Sequence, residues 1–264
     1  MKLTAENYHS LEANRAYMSV SQFKDFEKCE AMAVAKIRGE FTEEPTEAML
    51  VSAFVDAYFS NELDRFMLEH PQIFNSRGGG LKAKFNHAYT IISRIEQDAY
   101  MMELFSGETQ VIKTGEIAGV PFKIKMDFWQ IHKRITDMKI VANFAPIYVP
   151  GKGRLSFIEA YGYDKQGGVY QEIDTQNTGE KLPFIIGAAT KEASPDIAPI
   201  EVPQMLMDYE LENVKKMAPY YQALKNGVFE PKRCELCDYC KATKKVTEMM
   251  SLEAFNLRYI EGDA

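Results

Sequence analysis

Three side chains in the stretch "MDFWQIHKRITDMKI", residues 126 to 140, are of the types and at the spacing that could act on a substrate together: Asp127, Asp137 and Lys139. The stretch otherwise reads as strand, and its "QIHKR" turn makes the two halves antiparallel neighbours. Residues 137 and 139 are two apart and point to one sheet face, while Met138 points to the other. An acid and an ammonium facing one way, beside a second acid, form a site for a hard cation. Oxygen ligands suit Mg²⁺ or Mn²⁺, which bind one or two carboxylates together with a substrate phosphate. Such an ion lowers the pKa of bound water and neutralises phosphate charge, and a lysine beside it orients the attacking water, the requirements of phosphodiester hydrolysis. The same spacing also describes a surface ion pair on an exposed strand face.

A second constellation lies at the other end of the chain. "CELCDYC" supplies Cys234, Cys237 and Cys240, and the only other cysteine is Cys29. Two C-x-x-C steps in tandem bring thiolates close enough for a tetrahedral Zn²⁺ or a [4Fe-4S] cluster, and Cys29 would complete either. Four reduced thiols without metal are the remaining reading. A shared metal would close a loop of roughly 200 residues and strongly constrain the unfolded chain, so its role would be structural.

With 264 residues, 46% apolar and 26% charged, the chain is long enough for one substantial core and leaves little for disorder. A net charge of −7 argues against a protein that coats nucleic acid through clustered Lys and Arg, but not against an enzyme whose metal ions meet the phosphate. No apolar run is long enough to span a bilayer, and "MKLTAENYHSLEANRAY" lacks the apolar core of a signal peptide. The expected compartment is the cytoplasm, where cysteines are free thiols or metal ligands.

The elements that must position these residues follow from periodicity. "SVSQFKDFEKCEAMAVAKIRGE" predicts one helix over about 21–38, capped by Ser21. "TEAMLVSAFVDAYFSNEL" predicts a second, with Met49, Leu50, Phe54 and Tyr58 as its buried stripe and Asp56 in an otherwise apolar setting. A triple glycine in "SRGGGLKAKF" reads as a mobile loop, followed by a long amphipathic helix to about Leu104. "TQVIKTGEIAG", "VPFKIKMDFWQI" and "KRITDMKIV" then alternate apolar with polar residues as an antiparallel meander, turning at "AGVP" and "HKR". "GRLSFIEAYGYDKQGGVYQEIDTQN" predicts a helix whose Gly162, Gly167 and Gly168 imply close packing or the close approach of a ligand. "LPFIIGAATK" follows as a buried strand, and a long helix ends at Gly227.

Asp127, the acid ten residues on, and "DMK" together resemble the PD-(D/E)xK nuclease signature, and the order helix, three strands, helix, strand is similar to that superfamily's core. Flanking pieces resemble the RecB-like and RecE-like exonuclease branch along nearly the whole chain. "SVSQFKDFEKC" is similar to its N-terminal helix, and "SAFVDAYF" to its GxxxH helix, with Ser52 and Asp56 where glycine and histidine are usual. "QGGVY" resembles the Gln-x-x-x-Tyr motif, here Gln166 and Tyr170 at helical i, i+4 spacing. The whole is similar to the RecE-type exonucleases (exodeoxyribonuclease VIII-like) of phage and prophage recombination modules.

That resemblance implies an α/β, restriction-endonuclease-like PD-(D/E)xK core, a central mixed sheet flanked by helices, with N-terminal helical additions. It implies one domain over 1–264, helical to about 105, with the catalytic sheet core over about 106–195. Asp56, Asp127 and Asp137 would hold the metal, Lys139 would act on water, and Gln166 and Tyr170 would meet DNA near the scissile phosphate, with Lys165 available to a neighbouring phosphate. Glu116 is a further acid that could join the metal or stay solvated. Some RecB-like nucleases also carry one N-terminal and three C-terminal cysteines around an iron-sulfur cluster. Here the last cysteine lies nearer than in the commonest version, which keeps zinc open. The implied activity is Mg²⁺-dependent resection of linear duplex ends. A RecT-like annealing protein is the implied partner and a homo-oligomer the implied assembly. A non-catalytic DNA-binding or recombination-assembly protein retaining the fold is the alternative.

Overall fold

The computed structural model describes residues 1–76 and 80–257, so two of the three expected loop glycines, Gly78 and Gly79, lie outside the described residues. The N-terminal part is helical as expected: α1 Leu11–Ala16, α2 Val20–Lys28, α3 Glu30–Arg38, α4 Glu47–Phe59, α5 Leu63–Glu69, α6 His87–Glu96 and α7 Ala99–Leu104. The single helix expected over 21–38 is two, because Cys29 adopts an extended conformation (φ −166°, ψ 113°) between α2 and α3. The break frees backbone donors at the start of α3, and the Ala31 N–H goes to Lys232 O (3.0 Å), tying this point to the C-terminal segment. Ser19, not Ser21, caps α2. The long helix expected up to Leu104 is likewise divided, since the Asp98 carboxylate accepts from the Tyr100 and Met101 N–H groups and starts α7.

In α4 the buried residues are Leu50, Val51, Phe54, Val55 and Ala57, whereas Met49 and Tyr58 are 57% and 39% exposed. The helix is apolar nearly all round, so periodicity alone could not select its inner face.

Strands β1 Glu108–Ile117, β2 Val120–Gln130 and β3 Arg134–Val141 form the expected antiparallel meander. The β1–β2 turn places Ala118 and Gly119 both at positive φ, as a two-residue hairpin requires. Two elements absent from the sequence reading follow, a hairpin of β4 Ile147–Val149 and β5 Gly153–Leu155. The single helix expected next is α8 Phe157–Ala160 and α9 Tyr163–Thr178, separated by Gly162 in the left-handed region (φ 62°). Gly167 and Gly168 serve close packing: a Cβ at either would come within 2.7 Å of Met207 Sδ and Phe184, or 2.6 Å of Met207 O.

β6 Phe184–Thr190 runs parallel to β3, and β7 Ile197–Glu201, which the sequence reading also missed, pairs antiparallel with β6. The result is a mixed five-stranded sheet ordered β1-β2-β3-β6-β7. α10 Gln204–Lys225 packs on α9, and α11 Asp238–Ala242 and α12 Leu252–Asn256 follow it among the described residues. One apolar cluster joins the sheet to α2, α3, α9 and α10, and a second joins it to α4, α6 and α7. Among the described residues, no helix is long and apolar enough to cross a membrane.

Candidate active site

β2 and β3 pair only over Phe128↔Thr136, Trp129↔Ile135 and Gln130↔Arg134. Continued one step, that register sets Asp127 opposite Asp137, and there the ladder ends. The Asp127 carboxylate takes over the role of a strand carbonyl, accepting the Met138 N–H through Oδ2 at 3.0 Å. Beyond this point the strands diverge, so the two acids stand at the apex of a fork in the sheet.

Asp137 is 1% exposed. Its Oδ1 accepts from Gln166 Nε2 at 2.6 Å, and its Oδ2 faces the Lys139 ammonium in an ion pair. Asp127, Asp137, Lys139, Gln166 and Tyr170, which the sequence singled out, all line one cavity of about 340 Å³. Gln166 holds Asp137 directly. Tyr170 also packs edge-on against Phe184 (centroids 6.1 Å apart), so it serves the core and the cavity wall together.

Asp56 approaches from α4. It shares a second cavity, of about 550 Å³, with Asp127 and Lys139. Ser52, one turn earlier, explains how α4 comes so close: its small side chain hydrogen-bonds to Ile140 O on β3 at 3.2 Å. Among the described residues Asp56 Oδ1 is buried without a hydrogen-bond partner, an arrangement that is costly unless something electropositive meets it.

Electrostatics agree with a place for a cation. Burial, then the neighbouring Asp137 and Asp56, raise the Asp127 carboxyl well above its usual range. Burial also pushes Asp56 up to about 6, against the pull of Lys139 and Lys125 and with a further push from Asp137 and Glu62. At Lys139 burial favours the neutral amine, but the carboxylates of Asp137 and Asp127 outweigh it and hold the ammonium charged. Asp127 and Asp56, whose ionisation is discouraged by burial and by neighbouring acids, stand beside the Lys139-paired Asp137 as a donor set that a hard divalent ion would relieve. They are not clustered as tightly as the thiols, which form the only group of possible metal ligands within 4.8 Å of one another among the described residues.

The Asp56 shift has a consequence for stability. Its folded pKa, about 6, lies above the ordinary 3.8, so the folded protein holds a proton that the unfolded chain has released. The associated stability is full at pH below about 4 and is lost as pH rises through about 6. Thermal melts in EDTA should show the wild type losing Tm across that window relative to Asp56→Asn. Parallel curves for the two proteins would rule the assignment out.

One expectation fails here, for Lys165, and of the two readings of Glu116 the solvated one holds. Lys165 is 7% exposed and paired with Glu27 (2.5 Å) and Glu210 (3.3 Å), so it braces α9 against α2 and α10 and is not free for phosphate. Glu116 is exposed at the far end of the β1–β2 hairpin, where its backbone exchanges hydrogen bonds with Gln176, and it lines neither cavity. The sequence reading also missed Lys125, although "FKIKMD" places Lys123, Lys125 and Asp127 two apart on one strand face.

The cysteines converge as the sequence reading expected. Cys29 Sγ lies 3.6 Å from Cys240 Sγ, and Cys234 Sγ lies 4.0 Å from Cys240 Sγ. The Leu236 and Cys237 N–H groups point at Cys234 Sγ (3.5 and 3.3 Å), and the Cys240 N–H at Cys237 Sγ (3.5 Å). Against burial, the donors aimed at Cys234 hold its thiol down to about 7, whereas burial first and the neighbouring thiols next push Cys237 up to about 12, and burial raises Cys29 as well.

A family model described as a PDDEXK-like domain of unknown function (DUF3799) matches residues 19–243, which spans the Cys29 region, the fork and the three C-terminal cysteines. The chain belongs to this family. Among solved structures, this PDDEXK-like chain is similar to a "putative exonuclease" from Eubacterium rectale, with 44% identity, a TM-score of 0.93, and coverage of 97% of this chain and 98% of that one. No curated protein matches. The restriction-endonuclease-like fold class is thus the chain's own.

Proposed function

We propose that this PDDEXK-like chain is a metal-dependent deoxyribonuclease, and specifically an exonuclease that degrades linear duplex DNA from its ends. The observation that carries the reading is the fork: two opposed carboxylates where the β2–β3 ladder stops, with a charged lysine on one of them and Gln166 bracing it. The name of the 44%-identical Eubacterium rectale protein supports the exonuclease assignment.

Asp127 and Asp137, with Asp56, would hold Mg²⁺ or Mn²⁺, which when bound supplies a nucleophile from water and neutralises phosphate charge. Gln166 fixes the rotamer of Asp137 through Oδ1 and leaves Oδ2 for the lysine and the ion. Lys139, kept protonated by the two acids, supplies a fixed positive charge where negative charge develops on the phosphate. Tyr170, on the same cavity wall, is placed to contact the DNA beside the scissile phosphate. All the groups a non-catalytic relative would be free to lose are present, which favours the enzyme over an assembly factor.

At the thiols, the sulfur separations favour a single ion. A tetrahedral zinc with Zn–S bonds of about 2.3 Å spaces its ligands about 3.8 Å apart, between the observed 3.6 and 4.0 Å. A [4Fe-4S] cubane binds each thiolate on a different iron at its outer corners, which sets the sulfurs wider apart. Zinc is therefore the proposed occupant. The four thiols and the resemblance of the flanking motifs to phage and prophage recombination exonucleases extend the proposal to a cytoplasmic, end-resecting enzyme. It would work with a RecT-like annealing protein and as a homo-oligomer.

Purified protein with Mg²⁺ should digest an end-labelled linear duplex, leave a covalently closed circle intact, and stop in EDTA. Equal attack on circle and linear DNA would make it an endonuclease, and no metal-dependent cleavage of either would remove the nuclease reading.

A further inference from the structure

The 340 Å³ cavity inside the fork has a charge the mechanism above does not use. Although the chain as a whole carries −7, this cavity is lined by Lys24, Lys36, Lys123, Lys125 and Lys139 against Asp25, Asp127 and Asp137. Four of the five lysines are engaged. Lys24 donates to Tyr161 O (3.0 Å), Lys36 pairs with Asp25 (2.9 Å), Lys123 binds Tyr8 O and Asn14 Oδ1, and Lys139 pairs with Asp137. Lys125 has no hydrogen bond or ion pair among the described residues, and its ammonium lies 5.8 Å from the centroid of the Tyr8 ring. A half-buried ammonium that lines a polar cavity with no hydrogen-bonded or ion-paired acid among the described residues, and with only the longer-range pull of Asp56 on its charge, can take an anion from outside.

Position narrows the kind of anion. Lys125 is two residues from Asp127 on the same strand face, about 6.7 Å along β2, comparable with one step of a nucleotide chain. In the continued register it stands across the fork from Lys139, as Asp127 stands across from Asp137. The N-terminal segment, pinned by Lys123, and the start of α2 roof the cavity. At about 340 Å³, it is at the small end of single-ligand pockets, which run from about 300 Å³ upward. A volume of this size suits part of one strand better than a paired duplex.

We infer that Lys125 is a phosphate-positioning residue: one separated strand of a DNA end enters the fork, and Lys125 takes the phosphate next to the one presented to Asp127 and Asp137. This rests on the nuclease reading and adds to it a strand-separated substrate and a residue that binds it without touching the reacting phosphate.

The test compares wild type with Lys125→Met, which keeps most of the aliphatic stem, and Lys125→Arg, which keeps the charge. Two measurements are made on the full chain: steady-state hydrolysis of a single-stranded oligonucleotide with Mg²⁺, and anisotropy binding of the same labelled oligonucleotide with Ca²⁺ in place of Mg²⁺, over a series of salt concentrations. Losing one phosphate contact should raise KM and Kd about tenfold with kcat within about twofold, and lower the log–log salt slope by roughly 0.7. Lys125→Arg should restore both. Unchanged KM and salt slope in Lys125→Met, or a fall confined to kcat, would overturn the inference while an active wild type keeps the nuclease reading. A wild type that neither cleaves nor binds would overturn both. Matching thermal melts separate these results from misfolding.

Discussion

Lys139→Ala is expected to lower the rate of Mg²⁺-dependent DNA hydrolysis by about 10² to 10³-fold while leaving the fold and divalent-ion binding intact. The magnitude follows from what the side chain does, since removing one preorganised electrostatic stabiliser of a developing charge typically has an effect of that size. Lys139 is suited to the role because Asp137 and Asp127 keep it protonated despite its burial. Its removal also leaves Asp137 Oδ2 without its cation. The bound metal then becomes the only positive partner, so Mg²⁺ affinity should hold or rise even as kcat falls. Asp137→Asn should do the opposite, losing ion binding together with activity, because the amide cannot supply the charge a hard cation needs. Titrating Mg²⁺ calorimetrically and measuring single-turnover cleavage on both variants separates the two roles. Wild-type rates in either variant would remove that residue from the site.

Cys29→Ser should reduce bound metal to well below one equivalent and lower the melting temperature. Cys29 sits in the break between α2 and α3, more than 200 positions before its partners, and its Sγ is 3.6 Å from Cys240 Sγ. Structural metal binding is folding free energy, about 10–16 kcal/mol for zinc in small peptides. Forfeiting even about 3 kcal/mol of it should lower Tm by roughly 6 to 12 °C in a domain of this size. Elemental analysis of anaerobically purified wild type should find about one zinc per chain. About four irons with sulfide would replace zinc by a cluster, and a metal-free protein of equal stability would leave four ordinary thiols. Metal content unchanged in Cys29→Ser would place Cys29 outside the centre.

The positions proposed to carry the chemistry were legible in the sequence because strand periodicity is local. Asp137 and Lys139 must share a face, the short "HKR" turn must bring β3 beside β2, and Gln166 and Tyr170 must lie on one side of a helix. The cysteines were legible because nothing else in the chain accounts for Cys29. Hidden from the sequence were the places where long-range contacts override local preference. Cys29 breaks a helix that its neighbours would continue, because the freed donors and the thiol find partners near residues 232 to 240. The inner face of α4 was ambiguous in a helix apolar all round, and only packing against β3 and α6 selected it. Lys165 looked available beside Gln166 until Glu27 and Glu210, remote in sequence, neutralised it. Nothing in the sequence singled out Lys125, because only the forking of the sheet leaves it lining a cavity with no hydrogen bond or ion pair among the described residues. By itself, then, the sequence determined which side chains share a strand or helix face, since that depends only on backbone period. Which of those charges are neutralised and which stay free to meet a substrate was decided by the tertiary structure alone, because an ion pair depends on atoms a few ångströms apart in space, whatever their separation along the chain.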